Sequence, residues 1–318
     1  IDEAHCISEW GHDFRPDYKK IIKVFSKNKI NVQIVALTAT ANNETIKDIV
    51  NTLELKNPFI SISSFDRKNL FMGVKNFFTG LGKFNYLKKL IKKSSKVLVY
   101  CSTREKTEEL SKKIANKLKL ETSYYHAGCS NLERKDKQDQ FRTGKIKVLC
   151  STNAFGMGID IPDIDTVIYF NFPSSIEDYY QGIGRAGRNT NLNAISWLLY
   201  TNKDIKQQKD LISVEIPTLK EIKVIIEKIK NGADKTFLRD KYKISESVLN
   251  SIFLINENDQ IEADEILKKL KIINERKNSK FLKIKDFTSF KGCKKKFVLE
   301  YFGENLDNYI CDNCSYCN

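Results

Sequence analysis

Four cysteines crowd the carboxyl end of the 318-residue chain: Cys293, Cys311, Cys314 and Cys317, in the pattern C-x17-C-x2-C-x2-C. Two-residue gaps let short turns present successive sulfurs to one ion, and four soft thiolates suit tetrahedral Zn²⁺. A redox C-x-x-C pair is the other chemistry open to this cluster, but it leaves two neighbouring thiols without a role. At the opposite end stands Asp2-Glu3-Ala4-His5. Adjacent carboxylates at the end of an apolar strand can divide nucleotide hydrolysis, the first holding Mg²⁺ and the second orienting the attacking water. The run Ala36-Leu37-Thr38-Ala39-Thr40-Ala41 puts the hydroxyls of Thr38 and Thr40 after a strand, where open α/β sheets bind ligands. Gln181-Gly182-Ile183-Gly184-Arg185-Ala186-Gly187-Arg188 sets two arginines three residues apart among glycines. That spacing predicts both guanidiniums on one side of a helical turn, close enough to phosphates to neutralise a γ-phosphoryl transition state. Between Ala4 and Tyr18, the side chains of Trp10, Phe14 and Tyr18 offer stacking faces and Arg15 a phosphate contact, as single-stranded nucleic acid requires.

These groups need a frame. Apolar runs at Val32–Leu37, Val97–Tyr100, Lys147–Cys150, Thr166–Phe170 and Ala194–Tyr200 read as buried strands bounded by polar or glycine-bearing turns. Amphipathic stretches at Glu44–Leu53, Arg104–Leu118, Leu132–Arg142 and Ile176–Gly182 read as helices between them. The alternation predicts a doubly wound α/β sheet. A polar stretch over 65–82 with weak periodicity reads as a linker. Beyond Thr201 the pattern becomes helical, over Lys203–Ile212, Leu219–Ile229, Val248–Ile255, Glu262–Ile273 and Lys294–Phe302. Cys101, Cys129 and Cys150 lie in or beside strands and read as small core residues.

Composition narrows the partners. Lys and Arg number 54 against 40 Asp and Glu, a net charge of +14, which favours a polyanion and nucleic acid first. A length of 318 residues suggests two or three packed units, and 41% hydrophobic with 30% charged residues is globular composition. No apolar run is long enough to span a membrane, and no basic-then-apolar leader is visible. Eight cysteines, half of them in one cluster, point to a reduced compartment with a metal site rather than a disulfide framework.

The acidic box, the Ser/Thr loop and the arginine pair, in this order, resemble a superfamily 2 helicase. The stretch Ala4-His5-Cys6-Ile7-Ser8-Glu9-Trp10-Gly11-His12-Asp13-Phe14-Arg15-Pro16-Asp17-Tyr18 narrows the resemblance to the RecQ family of DNA helicases. Ser63-Ser64-Phe65-Asp66-Arg67-Lys68-Asn69-Leu70 looks like the segment that leads between the family's two motor lobes. Tyr100-Cys101-Ser102-Thr103-Arg104 is similar to motif IV, Tyr125-His126-Ala127-Gly128 to the segment after it, and Ala154–Asp163 to motif V. Lys294-Lys295-Lys296 and Tyr301-Phe302-Gly303-Glu304 resemble the zinc subdomain, and the triple lysine is expected to be solvated or to face DNA. Departures are specific: Glu9 for a common Gln, Lys68 for Pro, and Gly182 and Asn189 where motif VI is often acidic.

The resemblance implies RecA-like lobes, part of the first over 1–64 and a complete second over 83–201, joined by a 65–82 linker and followed by a mostly helical zinc subdomain over 202–318. ATP·Mg²⁺ would bind between the lobes, with Asp2, Glu3, His5, Arg185 and Arg188 in catalysis. Thr38, Thr40, Gly158, Asp160 and Gln181 would couple ATP to movement. Trp10, His12, Phe14, Arg15, Tyr18, Arg104 and His126 would meet DNA, and the four cysteines would bind one structural Zn²⁺. The implied activity is 3′→5′ translocation on single-stranded DNA and unwinding of duplex or forked DNA in repair and recombination, in a nucleus or in a bacterial cytoplasm and nucleoid. No G-x-x-x-x-G-K-[ST] phosphate loop occurs, so the residues are expected to be a piece of a longer chain. An ATPase-dead DNA-binding module and a DEAH-type RNA helicase are the alternatives.

Overall fold

The computed structural model describes residues 1–7, 24, 33–156, 159–213, 216–256, 262–307 and 309–318. The expected aromatic loop, with Trp10, His12, Phe14, Arg15 and Tyr18, and also Gly158, lie outside the described residues. The chain divides into two compact units, one of residues 1–38, 45–56 and 209–282, the other of 39–44, 57–208 and 283–318.

The second unit is built on six parallel strands in the order β1-β6-β5-β2-β4-β3: β1 (Leu70–Asn76), β2 (Val97–Tyr100), β3 (Thr122–Tyr125), β4 (Val148–Ser151), β5 (Thr166–Tyr169) and β6 (Ala194–Tyr200). The central strands are buried at every position, which is why they read as unbroken apolar runs. Around them lie α2 (Gly80–Lys93), α3 (Arg104–Leu118), α4 (Asn131–Arg142) and α5 (Ile176–Ile183). Leu87 and Ile91 of α2 and Leu110 and Ile114 of α3 pack on Val97, Val99 and Ile168 of the sheet. Each helix opens on a hydroxyl cap: Thr79, Thr103, Ser130 and Ser175 accept from the N–H three residues on, satisfying donors that a helix start leaves bare.

Residues 65–82, expected as a linker, contain β1 and the first turn of α2. Gly73 interrupts the apolar pattern of β1. It faces Trp197 of β6, whose ring would lie 2.5 Å from any Cβ at that position. The sheet therefore needs glycine there although glycine weakens the strand signal. β3 was also unrecognised from sequence, because Thr122-Ser123-Tyr124-Tyr125 is a polar, half-buried edge strand. Conversely, the described part of the Val32–Leu37 run is not in a regular strand, although Leu37 N–H donates to Ile1 O at 2.9 Å and Ala4 N–H to Leu37 O at 2.8 Å.

In the other unit, Ala4 and Ile7 of a short 3₁₀ helix (Ala4–Ile7) pack with Ile49 and Leu53, which lie in and just after α1 (Asn43–Thr52). The later helices, divided between the two units, are α6 (Asn202–Ile212), α7 (Leu219–Lys230), α8 (Lys235–Tyr242), α9 (Glu246–Asn256), α10 (Ala263–Ser289) and α11 (Lys294–Tyr301), the last in the sheet unit. Ile222, Ile225, Leu238, Leu249, Ile252 and Ile266 form a second cluster in the unit that holds residues 209–282. Among the described residues no helix is long and apolar enough to cross a membrane.

Candidate functional site

At the acidic box the backbone turns sharply, with Glu3 at φ 49° and its N–H donating to Asp2 Oδ1 at 2.9 Å. His5 is fully buried behind it. Its Nδ1 lies 3.0 Å from Thr38 Oγ1 and 3.4 Å from Glu3 Oε2. The box and the Ser/Thr loop are thus joined through one imidazole. Asp2 is exposed, and its hard oxygens fit Mg²⁺, which when bound would neutralise phosphate charge. Thr40 belongs to the other unit and is buried.

The arginine pair does not ride on a helical turn as its spacing predicts. α5 ends at Ile183 with Gly184 as its cap, and Arg185 and Ala186 follow through i→i−3 bonds to Gly182 O and Ile183 O at 3.1 and 3.0 Å. Gly187 then takes φ +59°, a left-handed conformation that glycine adopts without a Cβ penalty. Both guanidiniums turn to the same short segment after β4. Buried Arg185 donates from Nη1 to Ile159 O at 3.2 Å, and Arg188 Nη1 meets Asp160 Oδ1 at 2.5 Å. Gln181 is half-buried in the last turn of α5.

The absent acidic group of this motif has a local explanation. A Cβ on Gly182 would lie 2.0 Å from Tyr169 Oη. That hydroxyl donates to Asp178 O at 2.7 Å, so the β5 tyrosine occupies the place a side chain would need.

Arg104 opens α3 directly after the Thr103 cap. His126 follows β3, is buried, and is fixed by Glu108 Oε1 at 3.1 Å from Nε2, by the Gly128 N–H at 3.2 Å from Nδ1, and by Tyr124 stacked at 5.3 Å. Gly128 keeps these residues together, since a Cβ there would approach His126 Nδ1 to 3.1 Å and Arg104 Nη1 to 3.4 Å.

The four expected metal ligands do converge: the sulfurs of Cys293, Cys311, Cys314 and Cys317 all lie within 4.8 Å of one another. Cys293 caps α11 and accepts from Lys296 N at 3.4 Å. Buried Cys314 accepts from Lys294 N at 3.4 Å, and Cys311 from Asn313 N at 3.5 Å. Burial pushes the Cys314 thiol up, but N–H groups of Tyr316, Cys317 and Lys294 outweigh it and hold its pKa at about 6. Backbone donors aimed at sulfur stabilise thiolates, and a closed set of four fits one structural Zn²⁺ with no position left for a reacting water.

The lysines beside the first cysteine are not a solvated face. Lys294 is buried, donates to Phe287 O at 2.9 Å, and so closes the carboxyl end of α10. Lys295 is buried too, with Nζ 2.7 Å from Arg67 O and 3.5 Å from Asp66 Oδ1. Only Lys296 reaches partly into solvent, beside Glu300 at 3.7 Å.

Sequence reasoning missed how the cysteine unit is seated. Met72 N–H donates to Asn313 O at 3.2 Å, and Ser315 N–H to Met72 O at 3.0 Å, a parallel bridge that extends the sheet beyond β1. Phe65 N–H and Ser64 Oγ donate to Glu304 at 2.6 and 2.9 Å, and Phe65 stacks on Phe302 at 4.6 Å. Tyr301 Oη donates to buried Glu177 at 2.8 Å. No spacing rule reveals these pairs, because their partners lie more than a hundred residues apart.

A parallel sheet whose connecting loops carry these arginines, with a four-thiol unit bonded to its edge, defines a RecA-like helicase lobe with a zinc module. Three family models match in the same order: DEAD/DEAH box helicase over residues 1–49, helicase conserved C-terminal domain over 82–190, and RecQ zinc-binding over 252–318. A relative described as "Probable ATP-dependent DNA helicase RecS" from Bacillus subtilis is 35% identical over all of this chain and 65% of its own length. The ATP-dependent DNA helicase RecQ of Pasteurella multocida is 39% identical over 64% of this chain and 32% of its own. The three matches in this order, with these relatives, support a RecQ-family superfamily 2 helicase. The chain spans less than two-thirds of the length of these relatives. Among solved structures, Saccharomyces cerevisiae Dbp5 bound to RNA and ADP BeF3 superposes with TM-score 0.54 at 21% identity, over 66% of this chain and 55% of that one, a likeness of fold alone.

Proposed function

We propose that this chain supplies motor and zinc elements of an ATP-dependent DNA helicase that translocates 3′→5′ on single-stranded DNA and opens duplex or forked DNA. The observation that carries this reading is the seating of the four-thiol unit on β1 of the lobe that holds Arg185 and Arg188. In this reading Asp2 holds Mg²⁺, Glu3 takes the proton of the attacking water, and His5 relays the state of the box to Thr38. Arg185 and Arg188 neutralise charge on the transferring phosphoryl group, while Asp160, Gln181 and Thr40 link that event to movement. Trp10, His12, Phe14, Arg15, Tyr18 and Arg104 meet the DNA, and His126 holds the Arg104 neighbourhood in shape. The net charge of +14 supports a polyanionic track. A role in repair and recombination, in a nucleus or a bacterial nucleoid, follows from the substrate.

The test is DNA-stimulated ATP hydrolysis by the full-length protein. Glu3→Gln is expected to leave nucleotide binding intact and to lower stimulated turnover by at least ~10²-fold, as loss of a general base does. A full-length protein whose ATP hydrolysis ignores DNA, or a Glu3→Gln variant with normal turnover, overturns the reading.

A further inference from the structure

The arginine loop is held from outside its own motif. Gly187 O, which lies between Arg185 and Arg188, accepts from two side chains of the Ser63–Leu70 segment. Asn69 Nδ2 donates to it at 2.8 Å and also to Leu192 O at 2.9 Å. Arg67 Nη2 donates to the same carbonyl and to Ala186 O at 3.3 Å. The fit leaves no slack, since a Cβ on Gly187 would stand 2.7 Å from Asn69 Nδ2.

The segment that makes these bonds is in turn held by the cysteine unit. Lys295 Nζ, buried and two residues after Cys293, donates to Arg67 O at 2.7 Å. Asn313 Nδ2, between Cys311 and Cys314, donates to Lys68 O at 2.9 Å. Bonds from the cysteine unit thus fix the backbone at 67 and 68, and the side chains at 67 and 69 fix the turn that separates the two arginines. Every member belongs to one compact unit.

We infer that Arg67 and Asn69 are positioning residues for Arg185 and Arg188, and that the cysteine unit sets the geometry of the arginine pair through them. The inference rests on the helicase reading and deepens it. It gives the cysteine unit an influence on ATP turnover that needs no contact with nucleotide. An arginine that stabilises a transition state is sensitive to placement, and a shift of about 1 Å lowers rate roughly 10²-fold.

Four variants of the full-length protein decide it: Arg67→Gln, Lys295→Met, Arg185→Ala and the Arg67→Gln/Arg185→Ala double. Arg67→Gln is expected to lower kcat for DNA-stimulated ATP hydrolysis by ~10- to 10²-fold, with the KM for ATP and bound zinc unchanged. Lys295→Met, which alters no residue of the lobe, is expected to lower kcat in the same sense. Hydrogen exchange should quicken at the Gly187 and Leu192 amides in both and stay unchanged in β2 and β5. The double variant should lose less than the product of the two single losses, because part of the effect of Arg67 passes through Arg185 and the rest through Arg188. If instead the two losses multiply, or exchange rises throughout the sheet, Arg67 is a general stabiliser and the inference is overturned while the helicase reading stands. Full activity in Arg185→Ala would overturn both.

Discussion

Gly182 offers the sharpest check on the packing of the arginine motif. Replacing it with Ala puts a methyl group 2.0 Å from Tyr169 Oη, 2.7 Å from Cζ and 2.8 Å from Cε2 of a buried ring. The ring cannot swing away freely. It lies between Tyr100 and Tyr179, with centroids at 4.8 and 5.3 Å, and its hydroxyl bonds Asp178 O. Overpacking of a tight core costs about 1–3 kcal/mol, and losing the buried hydroxyl bond adds about 1 kcal/mol. The better helix propensity of Ala returns about 1 kcal/mol. The net expectation for Gly182→Ala is a loss of about 1–3 kcal/mol, or roughly 2–12 °C in melting temperature for a unit of this size. Thermal and urea unfolding of the full-length protein read it. Tyr169→Phe removes the 2.0 Å contact but leaves the two ring carbons, so the double variant should recover part of the loss. A neutral or stabilising Gly182→Ala, or strict additivity with Tyr169→Phe, would refute the reasoning.

Two further outcomes test a buried pair of the sheet unit and the cysteine cluster. Lys83 and Asp204 form a buried pair at 2.7 Å, with Asn171 and Thr201 on the carboxylate, so Lys83→Met strands a buried charge and should destabilise the lobe by about 3–5 kcal/mol in urea unfolding. A loss below about 1 kcal/mol would refute the stranded-charge reasoning. Cys314→Ser should lower bound zinc below one per chain and expose residues after α10 to protease, because metal binding supplies folding free energy; full zinc occupancy by metal analysis would remove Cys314 from the ligand set.

The groups proposed to do chemistry were legible in the sequence because each set lies in local spacing. The acidic box, the arginine pair and the C-x2-C-x2-C run are each contiguous, and backbone geometry alone brings such residues together. The buried strands β2, β4, β5 and β6 announced themselves as mostly apolar runs, and Arg104–Leu118 was bounded correctly by its amphipathic spacing. What escaped depended on partners distant in sequence. β1 is broken by Gly73, whose reason is Trp197, and Gly182 departs from its motif because Tyr169 fills the space. Lys294 and Lys295 read as solvated because lysine usually is. Only folding brings the α10 carbonyls and the Arg67 backbone to them. The hold of the cysteine unit on the arginine loop is likewise a property of contacts closed across more than a hundred residues. Local sequence determines which groups can do chemistry, and tertiary structure decides which of them are held, buried and aimed, because hydrogen bonds and packing act through space without regard to order along the chain.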